Sequence, residues 1–122
     1  MDRTCLIVDD EPAIRHFLKA VLQKEKFQAL EAEDAPQAFR LIQRLNGQLD
    51  LIVTDIRMPG EMDGLDLAYA VRDAFPTLPV LLISGFADAD ARRPGHNFEL
   101  IRKPFKAEAI LTSVKRLVEP KR

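Results

Sequence analysis

The sequence predicts an α/β fold, a doubly wound (βα)5 arrangement in which five parallel strands carry helices on both faces. Three observations lead there. Short apolar runs alternate with longer stretches of helical periodicity, the pattern of a parallel sheet buried on both sides. The connections between them are short, with no internal repeat, low-complexity stretch or linker. The 122 residues, 47% hydrophobic and 30% charged, suit one domain over 1–122 with a substantial core and no room for a second.

Each element follows in turn. Residues 5–8 (Cys-Leu-Ile-Val) form the first apolar run, too short for a helix and rich in strand formers. Ile14, Phe17, Leu18, Val21 and Leu22 then recur at helical spacing and define one buried stripe. Residues 27–31 make a strand near an edge. Ala38, Leu41, Ile42 and Leu45 mark a second helix, which Asn46-Gly47 closes. Residues 51–54 are the third strand, and Ala68, Val71 and Phe75 the stripe of the third helix. Pro76 to Pro79 separate it from a strand at 80–84. The weakest strand is 100–102, and the last helix carries Ile110, Leu111, Val114, Leu117 and Val118.

Composition excludes several classes of function. Eighteen Lys and Arg against 19 Asp and Glu leave no net field to draw the chain to nucleic acid or an anionic membrane. Apolar runs of about four residues fall far short of the roughly 20 that span a bilayer. The N-terminus lacks the layout of a signal peptide, and a lone cysteine permits no internal disulfide, which together predict a cytoplasmic protein. Cys5, inside an apolar run, reads as a packing residue. The pairs Arg92-Arg93 and Lys121-Arg122 read as solvated surface, and neither His16 nor His96 suggests a metal ligand or a phosphohistidine.

Open sheets of this kind, with strand order 2-1-3-4-5, bind ligands at the carboxyl ends of their strands. The residues there are Asp9 and Asp10 after the first strand, Asp55 after the third, Ser84 at the end of the fourth and Lys103 after the fifth. Three carboxylates converging on one edge repel each other, and a hard cation with oxygen ligands, Mg²⁺ above all, relieves that repulsion. With Lys103 as the complementary charge, the set suits phosphoryl transfer, which needs positioning and charge neutralisation, with a carboxylate as nucleophile. Each residue also has a plainer reading. The Asp pair before Glu11-Pro12 suits a helix N-terminus, Asp55 and Lys103 suit solvated charges, and Ser84-Gly85 suits a turn. Their common position at one end of successive strands argues against scatter.

The motifs Leu6-Ile7-Val8-Asp9-Asp10-Glu11, Asp55-Ile56-Arg57-Met58-Pro59-Gly60 with Met62-Asp63-Gly64, Leu82-Ile83-Ser84-Gly85 and Lys103-Pro104-Phe105 together resemble those of the response-regulator receiver family. The resemblance runs over 4–118. It implies a flavodoxin-like receiver fold in which Asp55 is the phosphoacceptor, Asp9 and Asp10 are metal-binding acids, and the Arg57 backbone carbonyl completes a site for Mg²⁺, with Mn²⁺ as a substitute. Ser84 becomes the switch hydroxyl, Lys103 the phosphoryl-binding lysine, and Lys103-Pro104 a cis peptide. It further implies a phosphohistidine donor, either a bacterial sensor histidine kinase or a histidine phosphotransfer protein. Self-phosphorylation from small phosphodonors and slow hydrolysis complete the chemistry.

Three departures from the family pattern stand out. Glu61 is an extra residue in the loop between Pro59-Gly60 and Met62-Asp63-Gly64. The stretch from Ser84 to Lys103 is short and contains Pro94-Gly95, so the helix expected there should be short, irregular or missing. Leu100 occupies the place of the family's switch aromatic, and Phe98, on the same strand face, is the candidate substitute. No output domain is expected, so a stand-alone receiver and one cut from a longer or hybrid protein fit equally. The output partner is open. Two rival readings are a pseudo-receiver that binds without being phosphorylated and a small Mg²⁺-dependent phosphohydrolase. All the acids and the lysine are retained, against the first, and Asp9-Asp10 are adjacent with no cap domain, against the second.

Overall fold

The computed structural model describes residues 3–85 and 97–119. Five parallel strands, β1 (Arg3–Val8), β2 (Phe27–Ala32), β3 (Leu51–Asp55), β4 (Val80–Ser84) and β5 (Phe98–Arg102), are ordered β2-β1-β3-β4-β5. The described helices are α1 (Pro12–Gln23), α2 (Ala35–Arg44), α3 (Gly64–Ala74) and α4 (Ala107–Val118). This is the doubly wound sheet expected. The short or irregular helix anticipated between β4 and β5, like Arg92-Arg93, Pro94-Gly95, His96 and Lys121-Arg122, lies outside the described residues. None of the described helices is long and apolar enough to cross a membrane.

The two-residue period of the strands splits the core in two. Leu6, Val8, Ile52, Val80, Leu82 and Phe98 face α2 and α3, packing on Ala38, Ile42, Leu67 and Val71. Cys5, Ile7, Val53, Leu81, Ile83 and Ile101 face α1 and α4, packing on Leu18, Leu22, Ile110 and Val114. Burial on both faces explains why the strands read as continuous apolar runs, each fully buried side chain contributing about 1.5–3 kcal/mol. Cys5 belongs to this core, and burial pushes its thiol up to about 12, so it stays protonated.

Two details correct the sequence reading. Phe17 does not join the buried stripe of α1; it is 41% exposed and packs against Phe105, ring centroids 6.0 Å apart. Phe75 lies just past α3 as its C-cap residue, where its ring covers Gly47. Asn46 and Gly47, with φ of +54° and +71° after α2, are consecutive left-handed residues that turn the chain toward β3.

Helix ends carry their own chemistry. At α3 the Asp63 carboxylate accepts the Asp66 amide at 2.9 Å, and the Asp66 carboxylate accepts the Asp63 amide at 3.0 Å, a reciprocal cap. Asp63→Ala is therefore expected to lower stability by about 1 kcal/mol, read as a shift in the urea midpoint at unchanged slope. An unchanged midpoint would show that water replaces the cap at no cost.

Candidate functional site

The site is built where β1, β3, β4 and β5 end. Ligand atoms of Asp9, Asp10 and Asp55 all lie within 4.8 Å of one another. Asp9 is 1% exposed and Asp55 5%, whereas Asp10 is open to solvent. From the far side of the sheet order, Lys103 Nζ reaches Asp55 Oδ2 at 3.3 Å. Lys103 is held there because its backbone N–H donates to the Ser84 carbonyl at 2.8 Å, continuing the β4–β5 ladder past the end of the strand. The Lys103–Pro104 peptide bond is cis.

Crowding of the carboxylates has an electrostatic price that the neighbours only partly offset. Burial pushes the Asp9 carboxyl up to about 6; the Asp55 and Asp10 charges add to this, while the Glu11 amide and Lys103 oppose it. Burial also raises Asp55, against the charge and hydrogen bond of Lys103 and a hydrogen bond from the Arg57 backbone amide. Asp9 Oδ1 accepts the Glu11 N–H at 2.9 Å. Asp9 Oδ2 is the sole buried side-chain oxygen or nitrogen without a hydrogen-bond partner among the described residues. An unpartnered, buried carboxylate oxygen beside two further carboxylates is the donor chemistry a divalent hard cation takes, so these residues fit such an ion.

The helix-capping reading of the acid pair does not hold. Glu11, not an Asp, is the N-cap of α1, no side chain caps that helix, and Pro12 follows at its first turn. Asp9 and Asp10 are thus left to the site. Ser84 is fully buried at the end of β4, and its hydroxyl donates to the Gly85 carbonyl at 2.9 Å. Phe98 and Leu100 do share a strand face, both packing on the α2–α3 side of the core; Phe98 is 5% exposed at the start of β5. Glu61 is exposed in the loop that joins β3 to α3.

Sequence reasoning missed three contributors. Arg15 donates from Nη1 to the Asp9 carbonyl at 2.7 Å. Gly64 backs directly onto the Asp55 peptide, where a Cβ would overlap the Asp55 carbonyl oxygen. Ile14, Phe17, Pro104 and Phe105, with Glu11 and Lys103, line an open groove of about 460 Å³ beside the acids. The last had a signal in sequence: Phe17 and Phe105 are large apolar residues, one on the edge of a helical stripe and one directly after Lys103-Pro104.

Comparison with known proteins agrees with this geometry. The family model described as "Response regulator receiver domain" matches residues 5–115. The chain is 34% identical over 119 residues to the sensor kinase CckA of Brucella abortus, covering 95% of this chain and 12% of that protein. It is 32% identical to the C4-dicarboxylate transport transcriptional regulatory protein DctD of Pseudomonas aeruginosa, covering 96% of this chain and 25% of that one. The chain thus spans about a quarter or less of these relatives. Among solved structures, the receiver domain of NtrX from Brucella abortus superposes with a TM-score of 0.83 at 33% identity, covering 96% of this chain and 99% of that domain. A receiver domain protein from Clostridium thermocellum shares the fold at a TM-score of 0.86 and 23% identity, over 95% of this chain and 94% of that chain. With the family model covering nearly the whole chain and the acids, hydroxyl and lysine gathered at one end of the sheet, the chain belongs to the response-regulator receiver family.

Proposed function

We propose that the chain is a single phosphoacceptor unit of a bacterial two-component system, acting in the cytoplasm, in which Asp55 receives a phosphoryl group from a phosphohistidine on a sensor histidine kinase or histidine phosphotransfer protein. The observation that carries this reading is the ion pair of Lys103 with the buried Asp55, 3.3 Å apart, beside two further carboxylates. An Asp55 oxygen attacks phosphorus, the P–N bond to the donor imidazole breaks, and the imidazole leaves as the free base or takes a proton. Asp9, Asp10, Asp55 and the Arg57 backbone carbonyl would hold Mg²⁺, or Mn²⁺ in its place. Bound there, the ion supplies positive charge against the transferred oxygens.

The chain's own groups do the rest. Lys103, already at Asp55, neutralises the charge that arrives with the phosphoryl group. Ser84 needs only to turn its hydroxyl away from the Gly85 carbonyl to donate to a phosphoryl oxygen, and that rotation, with the pull on Lys103, biases the adjoining loops. The apolar groove of Ile14, Phe17 and Phe105 beside Lys103 offers the donor protein a surface next to Asp55. Leu100 holds the position of the family's switch aromatic, and Phe98, on the same face at the start of β5, is the candidate to serve in its place. Output passes to a partner or attached domain without this chain touching nucleic acid, and the chain is a switch, not a turnover enzyme.

The test is intact-protein mass after incubation with acetyl phosphate, with and without Mg²⁺. One added phosphoryl group is expected in the wild type with Mg²⁺, and none in Asp55→Asn or after removing the metal with EDTA. No adduct under any condition would favour a pseudo-receiver, and repeated release of phosphate would favour a phosphohydrolase.

A further inference from the structure

We propose that Arg15 is a positioning residue for the metal site, fixing the Asp9 peptide so that its carboxylate stays within reach of Asp10 and Asp55. The inference rests on the reading that these acids hold a divalent cation. Asp9 is the first residue beyond β1, held on its N-terminal side by the last bond of the β1–β2 ladder. Two fastenings hold it, and both run to β2. The Asp9 N–H donates to the Ala32 carbonyl at 3.2 Å. On the other side of the α-carbon, the Asp9 carbonyl accepts Arg15 Nη1 at 2.7 Å, and Arg15 Nε donates to Glu31 Oε1 at 3.1 Å. Glu31 and Ala32 are consecutive, so the Asp9 residue is strapped to the end of one strand by its own amide and by a guanidinium.

Only an arginine offers two N–H groups in a rigid fork that reaches a carbonyl and a carboxylate together. The Arg15 side chain is 12% exposed, so the strap is held by packing as well as by charge, and Glu31 is steadied further by Lys19 Nζ at 3.4 Å. Arg15 bonds the Asp9 carbonyl and not its carboxylate, so its hold is on the Asp9 backbone. Such outer partners of metal ligands typically change metal affinity 10- to 100-fold when removed.

The experiment is Mg²⁺ titration of the whole chain, followed by amide chemical shifts and by calorimetry, for the wild type, Arg15→Ala, Glu31→Ala and the double variant. Arg15→Ala is expected to weaken Mg²⁺ about tenfold. Glu31→Ala, which frees the guanidinium from its anchor, is expected to weaken it about threefold, and the double variant no further than Arg15→Ala, since both act through one strap. Phosphorylation by acetyl phosphate should follow, with the rate lost by Arg15→Ala at low Mg²⁺ regained as Mg²⁺ is raised. A lower urea midpoint with unchanged Mg²⁺ affinity would make Arg15 merely structural and overturn the proposal. Additive losses in the double variant would overturn the shared strap. If Arg15→Ala does not fold, Glu31→Ala alone decides, unchanged affinity counting against. Wild-type protein that binds no Mg²⁺ overturns the metal reading and this inference together, whereas binding that is equal in wild type and variants overturns this inference alone.

Discussion

Gly64→Ala is expected to destabilise the fold by about 3 kcal/mol and to slow phosphorylation of Asp55 on the order of a hundredfold, through the addition of a single methyl group. Gly64 is the first residue of α3, and its N–H donates to the Ile56 carbonyl at 2.8 Å. That bond draws the start of the helix against the chain leaving β3. A Cβ there would overlap the Asp55 carbonyl oxygen and stand 2.8 Å from the Asp55 carbonyl carbon and 2.9 Å from the Ile56 α-carbon. All three are backbone atoms, so no side-chain rotation relieves the clash. Either the helix start moves outward, giving up the Ile56 bond, or the Asp55 peptide moves, taking the nucleophile out of line with Lys103.

Gly60 provides the contrast. It has φ of +101°, yet a Cβ there meets nothing within 4 Å. Gly60→Ala is therefore charged only for backbone conformation, about 1 kcal/mol, and leaves Asp55 where it is. Urea unfolding and initial rates with acetyl phosphate on both variants separate the two effects. Equal losses at both glycines would mean that backbone freedom, rather than the close approach to Asp55, is what Gly64 supplies.

The contrast also shows what a sequence carries and what it does not. Asp9, Asp55, Ser84 and Lys103 were legible because each stands where a short apolar run ends, and ligand sites of doubly wound sheets lie at those ends. The core was legible for the same reason: burial on both sheet faces leaves continuous apolar runs. Gly64 could be seen as a helix start but not as a close approach, since which backbone it abuts depends on how α3 packs. Arg15 looked like one of many charged helix residues, and its meaning depends on Glu31 arriving beside it from β2. Phe17 sits on the right helical stripe, yet it is Phe105, from the loop after β5, rather than the core that receives it. Periodicity reports what an element offers; docking decides what it touches.

Asp9→Asn is expected to stabilise the protein when Mg²⁺ is absent and to lose that advantage when Mg²⁺ is present. In the folded chain the Asp9 carboxyl is raised to about 6 from an unfolded value of 3.8, chiefly by burial. A folded pKa above the unfolded one means that the folded state binds the proton more tightly. The associated stability is fully present below about pH 4 and is lost as pH rises through about 6. At neutral pH, without metal, the ionised carboxylate thus weighs against folding by about 3 kcal/mol. Asparagine removes that charge while its oxygen still accepts the Glu11 amide, and its NH₂ takes the place of the unpartnered Oδ2. In EDTA at pH 7 the variant should be more stable than the wild type by about 2–3 kcal/mol, with a smaller loss of stability between pH 4 and 7. Saturating Mg²⁺ restores the wild type, by about 2.7 kcal/mol at a hundred times its Kd, and leaves the variant nearly unchanged. Urea midpoints for both proteins with EDTA and with Mg²⁺, over that pH range, decide the matter. If Asp9→Asn is the less stable protein in EDTA at pH 7, the buried carboxylate is satisfied without a cation, and the acid cluster is part of the scaffold rather than a site held ready for one.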